Sequence, residues 1–240
     1  MKQQISVFLL MARMSIYRVL VVLFAMAAVE TGLFYAVLAR GVTENGMSLE
    51  GVVEESRLAL VFVVCFALLA ARLFVAGYGE KTRRSYTLLR LSVSRRQVFL
   101  WQSIYNLFIF LLLWMTQILV AFALSALYVR LAPAEYVTHQ TAFLAFYRCD
   151  FFHSILPLSE GIFWVRNILV FLASSLLCAR YPRKKGQSDK AVVFMAAFMG
   201  ALFVQELGNK ASCLALIVFS LICIGVVLYR VFDKEDVYEA

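Results

Sequence analysis

Six stretches of this chain are apolar on every face, and that pattern restricts the fold more than any other feature of the sequence. They run at approximately Tyr17–Ala39, Leu58–Gly77, Leu100–Tyr128, Phe163–Ala179, Ala191–Leu207 and Ser212–Phe232. A surface helix keeps one polar face, and a barrel strand alternates polar with apolar residues. Neither pattern occurs here. A run of roughly 20 apolar residues crosses the hydrocarbon core of a bilayer as a helix. With 63% hydrophobic and 16% charged residues over 240 positions, the chain is far more apolar than a soluble domain of about 45–50% apolar and about 25% charged residues. An ordinary soluble enzyme and a disordered chain are both excluded, and no length remains for a separate soluble catalytic domain. The expected architecture is one all-α integral membrane domain over residues 1–240. Pro133, Pro157 and Pro182 fall between the runs, where a residue that breaks helices belongs.

Basic residues orient such a chain, because cytoplasmic loops retain Lys and Arg. With the N-terminus inside, the inner segments hold Lys2, Arg13 and Arg18; Lys81, Arg83, Arg84, Arg90, Arg95 and Arg96; Arg180, Arg183, Lys184, Lys185 and Lys190; and Arg230 and Lys234. The outer segments hold only Arg40, Arg57, Arg130, Arg148, Arg166 and Lys210. Six spans with both termini inside follow. The net charge of +8 is then topological and does not imply nucleic acid. Residues 1–16 place Ile5, Phe8, Leu9, Ala12 and Ile16 at helical spacing, which predicts an interfacial helix ahead of the first span. A plain extension of that span is the alternative.

Chemistry-bearing motifs are scarce. No zincin, nucleophile-elbow, phosphate-loop or dinucleotide motif occurs. Four of the five cysteines lie in apolar runs as packing thiols, and Cys149 falls in a loop without an obvious partner. His139 and His153 share the loop between the third and fourth runs with Asp150 and Ser154, where ordinary loop polarity is a better reading than a catalytic group. The same loop, Leu131–Arg166, carries Phe143, Phe146, Tyr147, Phe151, Phe152, Phe163 and Trp164. The expectation there is helices at the outer face with an aromatic belt against lipid. No enzymatic activity, metal or cofactor is expected of the chain itself.

Polar residues inside the runs are more informative, because lipid solvates them poorly. At about 1.5 Å rise per residue, Glu30 lies ~18 Å deep, Gln205 ~21 Å and Gln117 ~25 Å from the inner side. These three are candidates for a polar layer. Arg72 and Asn106 lie shallower, ~8 and ~9 Å from the same side. Arg72 either snorkels inward or meets Asn106, too far from Glu30 for a salt bridge. For Glu30, a substrate-path or gating role and a structural interhelical hydrogen bond stand level.

The segment Gly77–Gln102 is basic yet carries Tyr86, Leu88, Leu89, Leu91 and Val93. A plain inside loop does not need those apolar residues. They suit a short amphipathic helix, docked on a cytoplasmic partner or resting on anionic lipid. Ser92 or Ser94 can cap a helix beginning near Arg95. Glu80, the basic stretch after it and Leu91-Ser92-Val93-Ser94-Arg95 resemble the cytoplasmic loop of ABC-2 type transporter permeases, with Ser92 where proline is common. The six-run pattern and inside termini are similar to that family as well. The resemblance implies the membrane-spanning subunit of a bacterial exporter in the cell membrane, pairing with a second permease subunit. It also implies a separate ABC ATPase subunit. By the same resemblance Glu80, Arg83, Arg84, Leu88, Leu89, Leu91, Arg95 and Arg96 belong to the coupling element that contacts the ATPase. The alternative is a noncatalytic membrane assembly or signalling subunit that docks a cytoplasmic protein through the same loop.

Overall fold

Unbroken series of Leu, Val, Phe, Ala and Ile satisfy their backbone only within a helix when water is absent, and the described residues are helical accordingly. The computed structural model describes residues 2–44, 48–77, 95–132, 137, 140–158, 161–179, 198–200 and 210–232. Its helices are α1 (Lys2–Glu44), α2 (Leu49–Glu55), α3 (Leu58–Gly77), α4 (Arg95–Leu131), α5 (Thr141–Arg148), α6 (Asp150–Ile155), α7 (Gly161–Cys178) and α8 (Lys210–Phe232). Four stretches are long and apolar enough to cross a membrane: Ser15–Arg40 in α1, Arg96–Leu131 in α4, Gly161–Cys178 in α7 and Ala211–Tyr229 in α8. The pair α2 and α3, bent by 46°, makes a fifth if it acts as one span. This is a multi-pass membrane protein. Of the expected span Ala191–Leu207, only residues 198–200 are described.

Two expectations change at the N-terminal half. Residues 2–16 are not a separate interfacial helix, because α1 continues without a break from Lys2 to Glu44. Tertiary contacts tie its N-terminal turns to α4. The Phe8 ring meets Trp101 and Tyr105 edge-on, at centroid distances of 6.4 and 5.6 Å, and the Ser15 and Tyr105 hydroxyls lie 2.6 Å apart. The second apolar run begins at Leu58 as expected, but α2 precedes it. Ser48 caps α2 by accepting from the Gly51 N–H at 3.3 Å. Ser56 and Arg57 turn the chain into α3, with Arg57 at a φ of 51°.

Contacts between helices fix their directions. Ser15 pairs with Tyr105 and Glu30 with Gln117, so α1 and α4 run parallel. Asn106 meets Ser175 while Trp114 packs on Phe171, so α4 and α7 run antiparallel. Phe66 packs on Phe171, and the Cys178 thiol donates to the Ala70 carbonyl at 3.6 Å, so α3 runs parallel to α7. Phe163 shares a buried cluster with Cys213, and Leu176 and Ala179 share another with Val231 and Phe99. Helices α7 and α8 are therefore parallel. The C-termini of α3, α7 and α8 and the N-terminus of α4 gather at one end of the bundle.

Candidate functional site

The polar side chains buried among these helices form three levels along α4. Nearest the end where α4 starts is Asn106, 1% exposed. Its amide donates to the Ser175 carbonyl of α7 at 3.2 Å. That carbonyl, in the last turn of α7, also accepts from the Ala179 N–H at 3.1 Å, so the amide takes its second acceptor position. Arg72 does not meet Asn106 and stays on the exposed face of α3.

Further along α4, Gln117 and Glu30 meet. Both are 0% exposed, and the Gln117 amide donates to Glu30 Oε2 at 2.8 Å. Cys65 of α3, itself buried, lies near enough to Glu30 to interact with its charge. Two members of the expected polar layer thus come together at a junction of α1, α3 and α4, while Gln205 lies outside the described residues. Glu30 Oε1 and Gln117 Oε1 are buried without a hydrogen-bond partner.

The third level joins the bundle to α5 and α6. Arg166 is fully buried one turn inside α7. It is counted with the outer basic residues, although it falls near the start of the fourth apolar run, and in the structure it lies inside α7, which begins at Gly161. Its guanidinium donates from Nε and Nη2 to Asn167 Oδ1 at 2.9 and 2.7 Å, and from Nη2 to the Ser154 carbonyl at 3.0 Å. Asn167 Nδ2 donates to the same carbonyl at 3.0 Å. The Phe163 ring lies 5.2 Å from the guanidinium carbon. Trp114 Nε1 donates to the Ile155 carbonyl at 2.9 Å, and Trp164 Nε1 to the Pro157 carbonyl at 2.7 Å. Four side chains thereby hold the C-terminal end of α6 and the turn after it.

This arrangement also corrects the aromatic belt. Phe146, Phe151, Phe152 and Phe163 are buried, and only Phe143, Tyr147 and Trp164 remain open. Phe146 stacks on Phe152 at 5.0 Å, and Phe151 meets Phe62 of α3 at 6.3 Å. The rings are the core of a cap wedged onto the bundle. Within it, Ser154 Oγ donates to the Asp150 carbonyl at 2.8 Å, which ties the hydroxyl to backbone and away from nucleophilic work. His153 is half-buried with Nδ1 lacking a partner, and His139 lies outside the described residues. Cys149 is buried between α5 and α6, and burial pushes its thiol up from the ordinary range, so it stays protonated and unreactive. All five cysteines are buried, and none forms a disulfide. Among the described residues no group of three or more His, Cys, Asp or Glu side chains could hold a metal.

Of the expected coupling element, Glu80, Arg83, Arg84, Leu88, Leu89 and Leu91 lie outside the described residues, and Arg95 opens α4. Arg96, next in that helix, is half-buried. A helix start near Arg95 is where it was expected. Sequence reading names Ser154 and Arg166 separately but joins neither to Asn167, and it does not find Ser15 with Tyr105, since these groupings depend on contacts between helices. The only advance signal was a basic residue beside an amide at the edge of an apolar run. No known protein family, no curated protein and no solved structure matches this chain.

Proposed function

We propose that the chain is the membrane-spanning permease subunit of an ATP-driven exporter of the ABC-2 type. It works with a second permease subunit, identical or paralogous, and with a separate ATPase. One observation carries this reading. The segment between Gly77 and Arg95 leaves and re-enters the bundle at the end where α7 and α8 also terminate. It feeds directly into α4, a helix of 37 residues, or about 55 Å at about 1.5 Å per residue. That helix touches α1 at Ser15 and Glu30 and α7 at Asn106. A push on the loop that resembles a coupling element would reach both neighbours through one rigid rod.

Six crossings, with both termini on the loop side, are supported by the helix directions. Parallel α7 and α8 need a return of the chain across the bundle between them. The described residues 198–200 between them in sequence pack inside the bundle. Met199 is fully buried beside Ser174, Phe198 packs edge-on against Phe219 at 6.2 Å, and a Cβ on Gly200 would come within 2.6 Å of Phe66. Excess basic residues in the segments 78–96 and 180–190 favour the cytoplasm for that end.

The test is the loop. Leu88→Asp, Leu89→Asp and Leu91→Asp each place a charge where a docked leucine is desolvated, at a cost of a few kcal/mol if it finds no partner. Alanine in place of one rim arginine has a much smaller effect, about 1 kcal/mol or less. The aspartate variants are expected to insert normally but to lose ATPase copurification or transported flux. If all three retain both, this loop is not a coupling element and the exporter reading falls. Retention of a non-ATPase cytoplasmic protein by the wild type would favour an assembly or signalling subunit.

A further inference from the structure

The Glu30–Gln117 contact leaves two oxygens unaccounted for at one place. Glu30 Oε2 accepts from Gln117 Nε2 at 2.8 Å, while Glu30 Oε1 and Gln117 Oε1 are both buried with no partner. An ionised carboxylate only accepts hydrogen bonds, and an amide oxygen only accepts. Each orphaned acceptor in a dry interior carries a desolvation cost, and two belonging to residues already in contact call for a donor between them. One added proton supplies it. A carboxylic acid and a primary amide are complementary in shape: the amide N–H meets one carboxyl oxygen while the acid O–H meets the amide oxygen.

We propose that Glu30 and Gln117 form a proton-binding site, in which one proton taken from the aqueous phase sits on Glu30 Oε1 and is donated to Gln117 Oε1. The step is a protonation alone: a carboxylate and a proton give a neutral carboxylic acid, and no electrons are transferred. The second hydrogen bond closes α1 onto α4, so occupancy by the proton and closure of these two helices are linked. Separating the helices strips the acid of its acceptor and returns the proton. The inference does not depend on the exporter reading.

Among the described residues few other titratable groups reach this point. The Cys65 thiol faces it from α3. Arg72, seven residues beyond Cys65, is about 10 Å further along α3 and on its exposed face. On α4, Arg130 lies about 20 Å away along the axis and Arg96 about 32 Å. Glu50, Glu54 and Glu55 sit on α2, near the far end of α1 from Ser15. Among the described residues no cation stands beside Glu30 to hold an ionised form. A metal ion would need several oxygens in its shell, whereas two are orphaned here.

Infrared absorption of the purified full chain in lipid nanodiscs tests the proposal at neutral pH. The wild type is expected to show a carbonyl stretch of a protonated carboxylic acid that shifts down in heavy water. That band should be absent from Glu30→Gln and displaced in Gln117→Leu, which removes both hydrogen bonds. If Glu30→Gln fails to fold, the heavy-water shift and the Gln117→Leu displacement decide. Three results would overturn it. One is a wild-type spectrum without the band. Another is a Glu30 carboxylate band that moves when sodium is exchanged for potassium, which would mean a cation site. The third is a carboxylate band indifferent to that exchange, which would mean an ionised group solvated by a buried water.

Discussion

Asn167 serves two masters, its own helix and the cap. Its side-chain oxygen accepts twice from Arg166 and its nitrogen holds the Ser154 carbonyl. Asn167→Leu keeps roughly the same bulk and removes all three bonds, leaving a buried guanidinium without that acceptor. Hydrogen bonds to charged groups contribute about 1.5–3 kcal/mol each, so a loss of at least about 2 kcal/mol is expected. Arg166→Lys should also destabilise, because an ammonium lacks the planar fork that spans two acceptors. Thermal unfolding of the two variants in one detergent would check this, and an unchanged midpoint in Asn167→Leu would contradict the latch. At this scale sequence reasoning reaches one partner but not the other. Glu30 and Gln117 stand out because each is polar inside an apolar run. Asn106 stands out equally, yet its partner is the backbone of Ser175, and a carbonyl has no letter in a sequence. Arg166 counts as an outer charge by sequence because a basic residue near the end of an apolar run ordinarily reaches water, whereas here the cap buries it.

Elements were easier to read than their ends. Helices α3, α7 and α8 coincide with apolar runs to within a few residues, since a buried helix must be apolar over its whole membrane length. Helix α1 was cut in two because its first four turns looked amphipathic. The Phe8, Trp101 and Tyr105 cluster that absorbs that face is a tertiary event. The bend between α2 and α3 was equally invisible. Arg57 occupies the left-handed region there, which costs a residue with a Cβ about 1–2 kcal/mol relative to glycine. Its side chain is exposed. Arg57→Gly should therefore raise stability by about 1 kcal/mol, less the entropy glycine gives the unfolded chain, whereas Arg57→Val should lower it by a similar amount or more. Denaturation curves of the pair give the sign directly. A bend needing no special backbone would show Arg57→Gly as the less stable of the two. In the cap, Trp114→Phe keeps the ring contact with Phe171 but removes the hydrogen bond to the Ile155 carbonyl. A loss of about 1–2 kcal/mol is expected, read as faster proteolysis around residues 150–158.

For the molecule as a whole, the helix directions put the segment ends at two sides of the bundle, and the basic residues predict which side is cytoplasmic. The native cysteines are all buried, so single reporter cysteines can be introduced against a quiet background. Ser48 is exposed at the start of α2, at the end of the bundle opposite the segment 78–94. An impermeant thiol reagent applied to intact cells should label Ser48→Cys and spare Ser92→Cys and Ser188→Cys until the membrane is opened. Labelling of Ser92→Cys in closed cells would invert the orientation and put the basic loop outside. The parallel pairing of α1 with α4 carries a further consequence, for biosynthesis. Glu30 and Gln117 are 87 residues apart. At about 5–20 residues per second of synthesis, roughly 4 to 17 seconds separate their emergence from the ribosome. Throughout that interval the carboxyl has no amide to meet, and α1 must wait at the insertion machinery or beside lipid with its least lipid-soluble side chain unanswered. The acid at residue 30 therefore has opposite effects at the two stages of assembly. Leucine would ease the entry of α1 into the bilayer and spoil its later docking, so the native acid trades speed of insertion for fidelity of assembly.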